Sequence, residues 1–154
     1  SDLLFITSPA GAEFAAAVAS LPDFNRHIKA KAVAAGNQVA TIINPHIICR
    51  ETEKEAREAF RAIAAQEDAE AVDNLMQSFT KGDNASFRGH KRDQRIVGGN
   101  IQMIGTPEQI VDGMLRLKAA GCDGIQINFF DFEPDLEYFG ARVLPLMAQA
   151  GLRH

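Results

Sequence analysis

Hydrophobic positions fall into short continuous runs separated by amphipathic stretches, and that alternation predicts strands and helices in turn. Leu3 to Thr7 is an apolar run bounded by Ser8-Pro9-Ala10-Gly11, the pattern of a buried parallel strand that runs into a loop. Phe14, Val18 and Leu21 then recur at helical spacing. Pro22-Asp23 is expected to interrupt before a second helical stretch carrying Phe24, Ile28, Ala32 and Val33, closed by Gly36-Asn37. Gln38 to Cys49 is β-branched and too apolar to have one wet face, so it reads as a central strand.

Thr52 and Glu55 have capping-box spacing, and Ala56, Ala59, Phe60 and Ile63 supply the stripe of the helix they open. The pattern loosens from Gln66 to Gly99, with a short helix expected around Ala71 to Phe79 and glycine-punctuated polar sequence after it. Such an insertion in a regular alternation is where a lid would sit. Ile101 to Ile104 reads as a short strand. Thr106 as cap, Pro107 at the first helical position and Gln109 closing the box then start a helix, with Ile110, Val111, Met114 and Leu117 inward, until Gly121. Gly124 to Phe130 is the last strand, and a final helix carries Leu136, Phe139, Val143, Leu144 and Met147.

This order gives an α/β fold with a parallel sheet, in a single domain over residues 1–154 with 66–99 as its lid-like insertion. Because the chain opens directly on a strand, it is expected to begin inside a fold. With 46% hydrophobic and 23% charged residues, the composition is that of a soluble globular protein. A net charge of −4, with one short basic cluster at Arg88 to Arg95, argues against nucleic acid. No apolar run reaches the roughly 20 residues of a membrane span and no signal peptide opens the chain, so a cytoplasmic location is expected. Cys49 and Cys122 have no metal-ligand spacing and read as reduced, structural thiols; no metal is expected.

Parallel α/β folds present their chemistry at the carboxyl ends of strands. Here those ends are Thr7-Ser8, Asn44 to His46, and Asn128 to Phe132. An isolated histidine such as His46 has two readings, an imidazole bonded to a backbone carbonyl or a reactive group. Phe129, Phe130 and Phe132 similarly either pack in the core, bridge to the last helix, or line a site. There is no P-loop, dinucleotide fingerprint, His-Glu-x-x-His or G-x-S-x-G. Gly98-Gly99 and the capped start at Thr106 could hold a phosphate through backbone amides, or be only a well-made helix start.

Two blocks carry a family resemblance. His46-Ile47-Ile48-Cys49-Arg50-Glu51-Thr52 with Glu55-Ala56, and Ile104 through Ile110 running on to Gly124, resemble the bacterial luciferase-like, reduced-flavin monooxygenases. Within that family the likeness is to two-component enzymes acting on small sulfones, alkanesulfonates or pyrimidines. The resemblance implies a TIM-type barrel of which this chain is the C-terminal part. A complete barrel takes about 250 residues. It also implies reduced FMN supplied by a separate flavin reductase, molecular oxygen, and a small-molecule substrate.

Carried over by position, His46 is the catalytic candidate, matching a histidine that lines the active site of alkanesulfonate-oxidising members. Asn44 stands where those have an arginine, and Phe130 and Phe132 where they have a tyrosine and a histidine. Arg95 lies near a mobile-loop arginine. These residues and Asn128 are the substrate-binding candidates, and Phe5, Thr7 and Ser8 the cofactor-binding ones. The family's main flavin-phosphate contacts precede residue 1, and Phe130-Asp131-Phe132 resembles the pyrimidine and sulfone branches. The expected partners are the reductase and either a homo-oligomer or the missing N-terminal half of the barrel. The alternatives are a noncatalytic truncated module that self-associates and a deazaflavin-dependent oxidoreductase on the same barrel.

Overall fold

The structure, a computed structural model, describes residues 2–80 and 100–153. Among these, strand β1 (Leu3–Ile6) leads to helix α1 (Phe14–Ala34), then β2 (Ala40–Ile43), β3 (His46–Cys49), α2 (Glu53–Ala65) and α3 (Ala69–Thr80). After residues 81–99, β4 (Gln102–Gly105), α4 (Pro107–Ala119), β5 (Gly124–Ile125), α5 (Phe132–Arg142) and α6 (Leu144–Gln149) complete the order. All strand pairs are parallel, β1 with β2, β2 with β5, and β3 with β4.

The expected division of the first helix is corrected. Pro22 lies inside one continuous α1, where it forfeits a single backbone bond. Leu21 and Asn25, both buried, anchor the helix on either side of the proline, so packing outweighs local propensity. The helix ends as expected, with Gly36 at φ +75° and Asn37 N–H donating to Ala32 O.

The strand expected over Gln38 to Cys49 is also corrected, since it breaks at Asn44-Pro45. Pro45 has no N–H for the ladder. Asn44 and Pro45 also fall in a gap, because β1 pairs with residues 40–43 and β4 with residues 46–49. The ladder on the other edge continues: Gln126 N–H donates to Ile43 O, Asn128 N–H to Pro45 O, and Ile47 N–H to Asn128 O. The last strand is regular only at Gly124–Ile125, with an isolated bridge from Asn128 to His46. The final helix divides at Val143, one residue before Leu144-Pro145 opens α6, and its Leu136 is exposed. Both capping boxes form as read, Thr52 with Glu55 and Thr106 with Gln109.

One face of the sheet is covered by helices. Ile6, Ile43, Ile47, Met103, Ile110, Leu117 and Phe139 are buried together in a single core. The other face is set by the alternate positions Leu3 and Phe5 of β1, Ile42, Asn44 and His46, and Gln126 and Asn128, which register places side by side. Leu3 is 57% and Phe5 62% exposed there. Below it, Asp123 ties the amino ends of two strands: its carboxylate accepts from Thr41 N–H at 2.7 Å and contacts Lys29 Nζ at 2.6 Å.

Candidate active site

His46 begins β3 immediately beyond the break, on the face away from the helices. Its backbone N–H donates to Ile101 O at 2.7 Å, its Cα is in register with Gln102 on one side, and it bridges Asn128 on the other. The side chain is 8% exposed, and its Nε2 is buried without a hydrogen-bond partner. Asn128 Nδ2 and Gln102 Nε2 are buried and unpartnered as well. Burial lowers the His46 pKa below its ordinary value, against an opposing pull from the Asp135 carboxylate. The imidazole is therefore neutral at pH 7, with Nε2 as a lone pair or an N–H according to tautomer.

Phe130, 52% exposed, sets its ring 6.3 Å from that of His46. Phe129 takes the core role instead, its ring 5.6 Å from Phe139. Phe132 opens α5, is largely exposed, and meets Phe129 edge-on. Asn44 is half-buried on the His46 face. The structure thus brings His46, Asn128 and Phe130 together, with Asn44 beside them, and leaves Phe132 at the margin.

Phe5 shares the open face through its register with Ile42. Thr7 is exposed. Ser8 is buried, and its hydroxyl accepts the Ala10 N–H at 3.1 Å, which pins the turn after β1. Arg95 lies outside the described residues, as does the lid expectation beyond α3.

Three residues near this centre were missed from sequence. Gln102 is the one polar residue in the run Ile101 to Ile104, and that interruption was a usable signal. Arg50 sits in the quoted motif, yet its partner was invisible: its Nη1 meets Asp135 Oδ1 at 2.7 Å and donates to Cys49 O at 2.7 Å. Asp135 is 7% exposed and arrives from α5, which no local pattern links to β3. Beside them a cavity of about 390 Å³ is lined by Ile48, Arg50, Ala59, Ile63, Phe130 and the two carboxylates Asp131 and Asp135. Burial pushes the Cys49 thiol up to about 12, so it stays protonated and inert. Among the described residues no cluster of side chains could hold a metal ion, and no helix is long and apolar enough to cross a membrane.

A parallel sheet with helices on one face, and polar groups gathered around the β2–β3 break on the other, is the construction of part of a barrel-type α/β enzyme. Residues 4–124 match the family model described as luciferase-like monooxygenase, and the chain belongs to that family. It is similar to the FMNH(2)-dependent dimethylsulfone monooxygenase of Pseudomonas putida, at 36% identity over 131 residues. That match covers 79% of this chain and 36% of the relative, so the chain spans about a third of that protein's length. Among solved structures, DmoA from Hyphomicrobium sulfonivorans superposes with a TM-score of 0.79 at 15% identity, covering 98% of this chain and 38% of that one. Long-chain alkane monooxygenase (LadA) gives 0.74 at 19% identity, with coverages of 100% and 38%. At these identities the likeness shows the fold, a segment of a TIM-type barrel.

Proposed function

We propose that this chain forms the C-terminal, substrate-side wall of a flavin-dependent monooxygenase that uses reduced FMN and oxygen to oxidise a small organic molecule, a sulfone foremost. The observation that carries this reading is the buried, unpartnered Nε2 of a neutral His46 just past the break between β2 and β3, flanked by Asn128. A group of that kind, held rigidly by ladder bonds on both edges, is ready to take a proton or donate a hydrogen bond to a reacting oxygen. Asn128 Nδ2 adds an uncharged donor, and the Phe130 ring limits the access of water.

The open face fits the ring system of a flavin better than its phosphate. Leu3, Phe5 and Ile42 offer apolar surface, His46 and Asn128 offer polar edges, and none of the residues that β1, β2, β3 or 124–128 turn to that face is cationic. The phosphate is therefore assigned to the rest of the barrel. When bound, reduced FMN supplies the electrons for oxygen activation, delivered by a separate reductase.

The test is turnover in the complete barrel, assayed as sulfone-dependent oxygen uptake with a reductase. His46→Ala is expected to lower turnover about a hundredfold or more, the usual scale for a positioned acid or base, while leaving the fold intact. Near-normal turnover would return His46 to a structural role. The exposure of Leu3 and Phe5 favours one rival, a noncatalytic module that self-associates; it requires that no reduced flavin bind to any assembly containing this chain. Titration with a deazaflavin separates the remaining alternative.

A further inference from the structure

Strand β4 follows α3 and precedes α4 in the chain. It pairs with β3 on the edge that β1 occupies along β2: Ala40 N–H donates to Asp2 O, and His46 N–H, on the same edge, to Ile101 O. Where β1 has ended, β4 takes its place. His46 is thus flanked by Gln102 on one side and Asn128 on the other, each about 4.8 Å away strand to strand, with the three side chains leaving the same face.

Each of the three carries a buried nitrogen without a partner. Buried donors left unmade are rare because water can no longer satisfy them. Three abreast in one row, one of them on a histidine more than nine-tenths buried, mark a place where the partner comes from outside the chain. The chemistry of the row is specific. Two carboxamides offer N–H donors without charge, and the imidazole between them is neutral. An anion would find no counter-charge in this row, whereas a neutral molecule with two acceptor oxygens would find a donor for each.

We propose that Gln102 is a specificity-determining residue that holds one oxygen of a neutral sulfonyl group while Asn128 holds the other, selecting sulfones over sulfonates. This rests on the monooxygenase reading above.

The experiment is equilibrium binding to the complete protein of dimethyl sulfone, dimethyl sulfide, which has no oxygens, and methanesulfonate, comparing wild type with Gln102→Leu. Wild type is expected to bind the sulfone more tightly than the other two. Gln102→Leu is expected to lose about five- to tenfold in sulfone affinity, the scale of one hydrogen bond, and to leave the sulfide unchanged. Its melting temperature should equal or exceed that of wild type, because an unpartnered buried donor has been replaced by an apolar group. In turnover, the Michaelis constant for the sulfone should rise with little change in kcat. Unchanged sulfone affinity in the variant, equal losses for sulfone and sulfide, a lowered melting temperature accompanying the loss, or a wild type that does not prefer the sulfone would each overturn the assignment. Flavin-dependent oxygen uptake by wild type is scored separately. If it persists while Gln102→Leu behaves as wild type, only the role of Gln102 falls; if it is absent, the monooxygenase reading falls and the binding arm still decides Gln102.

Discussion

Removing the Asp123 carboxylate tests how the sheet is held at the end away from the site. The carboxylate accepts from Thr41 N–H at 2.7 Å and from the Thr41 hydroxyl at 3.2 Å, and pairs with Lys29 Nζ at 2.6 Å. Thr41 is fully buried, so Asp123→Ala leaves its N–H without a partner, at a cost of about 1–3 kcal/mol. The Lys29 pair is 35% and 41% exposed, and solvent screening limits it to about 0–1 kcal/mol. The alanine variant should therefore lose about 2–3 kcal/mol, and Asp123→Asn, which keeps an acceptor for Thr41, about 1 kcal/mol. Urea unfolding at pH 7 measures both; with a slope of about 1–3 kcal/mol per molar, the alanine midpoint should fall by roughly 0.7–3 M.

The pH dependence gives a second handle. Burial pushes the Asp123 carboxyl up, but the Lys29 ammonium and the Thr41 bonds outweigh it and hold the pKa below its ordinary value. Its stabilisation is thus full above the unfolded value and fades as pH falls through the folded one, so the gap between wild type and Asp123→Asn should close towards pH 3. Equal losses for Ala and Asn, or a gap that does not change with pH, would refute the reasoning.

His46 titrates with the opposite chemistry. Burial lowers its pKa, so between the folded value and 6.5 the unfolded chain binds more protons. Stability should be complete above pH 6.5 and decline below it, a slope that His46→Gln should reduce when urea midpoints are compared at pH 7.5 and 5. The exposed Leu3, Leu4 and Phe5 on an edge strand should drive self-association of the chain at micromolar concentration. Sedimentation velocity should show Phe5→Lys shifting it towards monomer, and a compact wild-type monomer would count against this.

The regular alternation, both capping boxes and the glycine helix stops were legible because each depends on neighbours within a few residues. Thr52 reaches Glu55, three residues on, and Thr106 reaches Gln109. Pro22 misled because the buried contacts of Leu21 and Asn25 come from elsewhere in the chain; Asn25 donates to Ala120 O. The break at Asn44-Pro45 was marked by the proline, but its cause, one neighbour strand ending before another begins, is a property of the sheet. Within the site, Asn128 and Phe130 could be read from the end of the last strand, whereas His46, read at a strand end, opens β3 beyond the Asn44-Pro45 break. Asp135 could not, because its bond to Arg50 joins a helix start to a strand end with no local pattern between them.

The substitution of β4 for β1 beside His46 separates two jobs that a barrel strand usually combines. The backbone ladder at this level needs only a strand of the right direction, whereas the row of side chains needs a particular residue at position 102. Since β4 pairs with β3 and with no other described strand, that position can change its chemistry while β2, β3 and the 124–128 segment keep their mutual register. Assembly follows the same division. The contacts of β2 with β1 and β5 can form without β4, and the pocket wall is finished only when β4 has paired with β3.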